Sequence, residues 1–217
     1  MSVGEPTPKP ARLIAGPGQH EMEIKKSRFI CSIARATSEA EARAFHERLK
    51  KQYWDANHNC LAYLIGERNE FQKANDDGEP SGTAGVPMLE VLKKRELINT
   101  VVVVTRYFGG TKLGAGGLIR AYGQSVSDVI DAVGIVERRP FFLLTVRSSH
   151  QDAGRIENAL RASAYKLGEV AYGGDVGFEV HLDENEIAPF RAWLAELTGG
   201  RNQAEITGQA FIEVPVS

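Results

Sequence analysis

Polar and apolar positions change rhythm several times along the chain. In EMEIKKSRFICSIARA, residues 21–36, Phe29, Cys31 and Ile33 alternate onto one face, which predicts a strand. Ser38 then opens a helical pattern, with Glu41 three residues on as a capping box and Ala42, Phe45, Leu49 and Tyr53 as its apolar stripe. HNCLAYLIG and EFQKAN read as a hairpin around Glu67–Asn69. DDGEPSGTAG is rich in turn formers, and Ser81 or Thr83 is expected to cap the helix that follows. That helix, VPMLEVLKKREL, carries Pro87 in its first turn, where a missing N–H costs little. INTVVVVTRYF is a strand whose unbroken valines predict burial on both faces. From Leu118 to Val133 apolar residues recur with helical spacing, and Gly134 ends the pattern.

A boundary is expected at VERRP, 136–140. Beyond it the order is strand 141–148, helix 151–163, strand 165–172, strand 175–182, helix 185–198 and strand 202–213. Gly173–Asp175 turns the hairpin, and Gly199–Gly200 stops the second helix. This strand–helix–strand–strand–helix–strand order is that of a ferredoxin-like βαββαβ sandwich. The fold class is therefore α+β in two domains. The expected divisions are a flexible tail over 1–18, a first domain over 19–138 and a second over 141–217.

Composition narrows the classes. With 42% hydrophobic and 25% charged residues, the 217-residue chain has enough apolar material for a core. No apolar run approaches the roughly 20 residues of a membrane helix. The N-terminal residues lack the apolar stretch of a secretory signal, so a cytoplasmic location without membrane association is expected. Cys31 and Cys60 are the only cysteines and are read as reduced. No C-x-x-C or H-x-x-x-H spacing occurs, and no metal or other cofactor is expected. Charge is uneven. Residues 1–140 hold 20 Lys and Arg against 17 Asp and Glu, whereas 141–217 hold 6 against 11. A polyanion would therefore prefer the first domain.

Three stretches bear candidate chemistry. Gly109, Gly110, Gly114, Gly116 and Gly117 stand between a strand and a helix start, with Arg106, Lys112 and Arg120 among them. Free N–H groups and the helix dipole there suit an anion. The same glycines also serve a merely tight connection, and their spacing fits neither the dinucleotide fingerprint nor a Walker A loop. Asp76, Asp77 and Glu79 crowd three carboxylates into four residues, as a cation site, an acid–base pair or a plain turn would. His58 and Cys60 share a strand face, but no third group is evident to orient a nucleophile and its base, so no catalytic residue is assigned.

Together KKSRFI, DANHNCLAY, NDDGEPSGTAG and VVVTRYFGGTKLGAGGLIRAY, spanning about 25 to 123, resemble the IMPACT family, and most closely its bacterial two-domain members. The resemblance implies that the first domain has the fold of the second domain of ribosomal protein five of the small subunit. It implies that the second is similar to the last domain of elongation factor G, in agreement with the element order. Eukaryotic members regulate translation by competing for the activator of the amino-acid-starvation kinase. Bacteria have no such pathway, so that partner does not carry over, and no catalytic residues transfer.

Three functional classes follow. The first is a translation-linked regulatory binding protein that contacts RNA, the ribosome or a translation factor through an anion-binding Gly-rich site made of Arg106, Gly109, Gly110, Lys112, Gly114, Gly116, Gly117 and Arg120. The second is a protein–protein regulatory module that binds no nucleic acid. The third is an enzyme on a small anionic or peptide-like substrate, with a pocket of His58, Asp76, Asp77 and Glu79 beside Arg106 and Lys112. The sequence favours the first.

Overall fold

The structure, a computed structural model, describes residues 10–216. Contacts divide the chain into two compact units, one reaching Arg138 and taking in the residues from Glu213 onward, the other Arg139–Ile212. The fold is mixed α+β in both, as expected.

The first unit holds β1 (Ala11–Ile14), β2 (Gly18–Ile24), β3 (Ser27–Arg35), α1 (Glu39–Gln52), β4 (His58–Ile65), β5 (Phe71–Asn75), α2 (Gly85–Lys94), β6 (Thr100–Tyr107) and α3 (Ala115–Val133). Five strands form a fully antiparallel sheet in the order β2-β3-β6-β4-β5. The valines of β6 explain its central place. Val102 and Val104 join one core with α2 and α3, whereas Val101 and Val103 join a second core under α1. Both faces are thus covered, which is why the run lacks polar alternation. Phe29, Cys31 and Ile33 share the first of these cores, as their spacing predicts.

Three expectations need correction. Residues 21–36 are two strands rather than one. Ile24 faces Ser27 in register, and Lys25 and Lys26 make the two-residue turn at φ 49° and 66°. Both φ values are positive, as the twist-matched hairpin turns require, but lysine gives no sequence signal for them. The tail does not extend to residue 18: β1 pairs antiparallel with 135–138, Leu13 opposite Val136, because its apolar side chains pack with Ile98. Residues 1–9 lie outside the described part. At α1 the Ser38 hydroxyl accepts the Glu41 N–H at 3.2 Å, but the Glu41 carboxylate accepts from the Thr37 N–H, one residue earlier than a capping box has it. The division between the units falls after Arg138, inside 136–140, where β7 (Ile135–Ser148) leaves no loop.

The second unit continues with α4 (His150–Ala162), β8 (Lys166–Tyr172), β9 (Val176–Leu182), α5 (Ile187–Thr198) and β10 (Ala204–Pro215). Its strands lie in the order β10-β7-β9-β8, the ferredoxin-like arrangement. Leu144, Val146, Phe178 and Val180 from the sheet meet Ile156, Leu160, Phe190 and Leu194 from the helices in a separate core. Gly199 closes α5 in the left-handed region, φ 62°, as its sequence context predicts.

Candidate functional site

Arg106 stands one residue before the end of β6, and its guanidinium turns inward, with 5% of the side chain exposed. Nη1 donates to Glu79 Oε1 at 2.5 Å, and Nη2 to Ser27 Oγ at 3.3 Å. The guanidinium lies between two aromatic rings, 5.3 Å from the centroid of Phe29 and 5.6 Å from that of Phe108. Nε is buried and has no acceptor among the described residues. Glu79 Oε1 also accepts the Tyr122 hydroxyl at 2.8 Å, whereas Oε2 has only the His58 ring nearby, at 3.9 Å. The Cys60 thiol donates its proton to the Asp76 carbonyl at 3.0 Å, and its sulfur lies 3.4 Å from Tyr122 Oη. A buried polar chain therefore links β4, the 76–85 loop, β6 and α3.

The three neighbouring carboxylates separate in space. Asp76 Oδ1 accepts the N–H groups of Ala84 and Gly85 at 3.0 and 2.8 Å, and Oδ2 that of Gly82 at 2.9 Å. Asp76 thus caps the start of α2 from eight residues away. Ser81 and Thr83, expected in that role, do not fill it: the N-cap is Ala84, and Thr83 donates to the Pro80 carbonyl instead. Burial alone would raise the Asp76 carboxyl, but the three N–H donors outweigh it and hold it below the usual carboxylate value. Asp77 accepts the Asn59 N–H at 2.7 Å and Lys50 at 3.2 Å. His58 donates through Nδ1 to the Asp77 carbonyl at 2.9 Å. Cys60 is driven upward in pKa by burial, and the nearby Glu79, Asp77 and Asp76 charges add to the effect, so the sulfur is held as a thiol. Tyr122 is raised by burial too, and stays a neutral donor.

The glycines also divide. Gly109 presses on the β2–β3 turn; a Cβ there would stand 2.0 Å from the Lys26 carbonyl carbon. Gly110 and Gly114 hold φ of 83° and 75°, and Gly117 packs against Leu113. Around Gly116 space is open, with nothing nearer than Arg120 Nη1 at 3.6 Å. Glu79, Arg106, Lys112 and Gly114 line one cavity of about 320 Å³, walled by Pro80, Phe108, Leu113, Ala115 and Leu118. The 76–85 loop and the glycine stretch therefore share a pocket. Arg120 and Gly117 border a neighbouring hollow with Lys25 and Gln124, not this cavity. Asp76, Asp77 and His58 are not among the cavity residues.

Sequence reasoning missed Tyr122, Ser27, Phe108 and the Lys25–Lys26 turn. Tyr122 was hidden in the apolar stripe of α3. Its hydroxyl was the available signal, since a buried one needs a partner.

These features define the class of protein. Residues 25–130 match the model of the Impact N-terminal domain, and 146–201 that of a domain of unknown function, DUF1949. The chain belongs to the IMPACT family. It is 52% identical over 200 residues to the IMPACT family member YvyE of Bacillus subtilis (strain 168), covering 92% of each chain. Against the IMPACT family member YigZ of Escherichia coli (strain K12) identity is 36%, over 83% of this chain and 90% of that one. The Protein IMPACT homolog of Dictyostelium discoideum is 40% identical over 96 residues, covering 42% of this chain and 27% of its own length. A crystal structure described as that of a hypothetical protein superimposes with a TM-score of 0.58 at 33% identity, covering 92% of this chain and 98% of its own.

Proposed function

We propose that the chain is a cytoplasmic, translation-linked regulatory protein whose first unit binds RNA, on its own or as part of a ribosomal or translation-factor surface, by anion contacts at the start of α3. One observation carries this reading. Helix α3 has Gly114 as its N-cap and no side-chain cap, and the N–H groups of Ala115, Gly116 and Gly117 have no acceptor among the described residues. Lys25, Lys26, Lys112 and Arg120 are exposed, and none has an ion pair among the described residues. A 19-residue helix aims the positive end of its dipole into this patch of unpaired cations, an arrangement suited to phosphate. Proteins of this kind bind with an affinity that falls linearly on a logarithmic salt scale.

The acid–base reading has less support. Asp76 and Asp77 already accept backbone N–H groups, and Cys60 is protonated. Within the described residues no helix is long and apolar enough to cross a membrane.

The test is a fluorescence titration of the full chain with single-stranded RNA at several sodium chloride concentrations. Lys112→Ala is expected to weaken binding nearly equally for all sequences and to lower the salt slope by about one unit or slightly less. If the wild type binds neither RNA nor ribosomes at low salt, the anion reading fails and a protein partner takes its place.

A further inference from the structure

We propose that the cavity between Glu79 and the start of α3 receives one unstacked base of a single RNA strand, while its flanking phosphates lie on Lys112 and the α3 N-terminus. The proposal rests on the anion-binding reading above and adds what the anion is attached to. A bare phosphate would use only the rim of this cavity. Its walls are apolar: Phe108, Leu113, Leu118 and Pro80. At about 320 Å³ it stands at the small end of ligand-sized cavities.

Phe108 supplies the stacking surface. It is 46% exposed and borders the cavity. It is nonetheless held in place: its N–H donates to Asn57 Oδ1 at 2.8 Å, and its ring lies against the Arg106 guanidinium. A base entering beside it meets a rigid ring already propped from behind, so little side-chain entropy is lost on stacking. Sequence-reading RNA proteins hold splayed bases in this way, on an aromatic ring or guanidinium plane with hydrogen bonds to the base edge.

Glu79 supplies the edge contact. Its side chain is 3% exposed, yet Oε2 accepts no hydrogen bond among the described residues, while Oε1 takes donors from Arg106 and Tyr122. Oε2 is not among the fully buried unpartnered atoms, so a ligand can reach it, and the nucleobases offer an N–H on their pairing edge as a donor. Arg106 lines the same cavity and pairs with Glu79 Oε1, which holds the carboxylate in place with Oε2 free to accept.

Base and phosphate chemistry are shared by a strand and a free nucleotide, and three probes separate them: a single-stranded RNA decamer, an abasic ribose–phosphate decamer of equal charge, and a nucleoside monophosphate. Each is titrated against the full-length wild type, Phe108→Ala, Phe108→Leu and Lys112→Ala. The intact decamer is expected to bind roughly tenfold tighter than the abasic one. Both Phe108 variants should bring that ratio toward one at an unchanged salt slope; the leucine variant keeps apolar cover and guards against misfolding. Lys112→Ala should do the reverse, keeping the ratio and flattening the slope. Equal binding of intact and abasic strands overturns the base pocket and leaves the anion site standing. Absence of binding by both overturns the two together. A monophosphate that competes as well as the decamer overturns the strand and makes the ligand a free nucleotide.

Discussion

Arg106 and Glu79 form an ion pair of 2.5 Å whose side chains are 5% and 3% exposed. A pair so enclosed is held by mutual need. Removing one partner leaves an uncompensated buried charge, at a cost of about 3–5 kcal/mol. Glu79→Ala is expected to lower stability by that order in urea unfolding. Combining Glu79→Gln with Arg106→Met should cost less than the sum of the single changes, with a coupling of at least about 1 kcal/mol. Strict additivity in the cycle would show that the two charges are separately solvated.

The Asp76 cap sets an acid limit. Its folded pKa lies below the ordinary carboxyl value of 3.8, so its contribution is fully present above about pH 4 and is lost as pH falls through the folded value. Asp76→Ala should cost about 1–2 kcal/mol at pH 7, since N–H groups at the start of α2 lose their acceptor. The difference between the variant and the wild type should narrow as pH falls below 3.8 through the folded value. Urea midpoints measured from pH 7 downward decide, and a difference that does not shrink with acid would refute the ionised cap.

The glycines at the head of α3 are expected to sort by the space around each. Gly109→Ala places a methyl among backbone atoms of Lys26 and Ser27 at 2.0–2.4 Å, and should cost about 1–3 kcal/mol. Gly116→Ala meets open space in a helix and should stabilise by about 0.5–1 kcal/mol. Thermal unfolding of the two variants checks both signs, and a neutral Gly109→Ala would mean that the β2–β3 turn gives way easily.

The second unit has its own core, built on Phe178, Phe190, Ile156 and Leu160. Residues 139–217 expressed alone are expected to unfold in one cooperative transition with dispersed amide resonances. A fragment with neither property would show that the second unit needs the first in order to fold.

Much of this architecture is legible in the sequence because burial leaves a period. The four valines of β6 announce a strand covered on both faces, and Gly134 marks where α3 stops. The ferredoxin-like reading follows from the order of strands and helices along the chain. Other features have no local signature. Capping rules look three residues ahead, whereas Asp76 reaches Ala84 and Gly85, eight and nine residues on. Sequence adjacency suggested that Asp76, Asp77 and Glu79 act together. Asp77, at φ 42°, reverses the chain and sends the three carboxylates to α2, to β4 and to Arg106. The β1 strand, four residues set between Pro10 and Pro17, is too short to show alternation.

That short strand bears on how the chain is made. Leu13 pairs with Val136, 123 residues later. A ribosome adds about 5–20 residues per second, so roughly 6–25 s separate the synthesis of the two partners. During that interval Leu13 and Ile14 have been made while the strand they will pair with does not yet exist. The ladder closes only after the sheet and α3 have been synthesised, so during translation β1 is an unpaired apolar segment open to chaperones or to a neighbouring nascent chain.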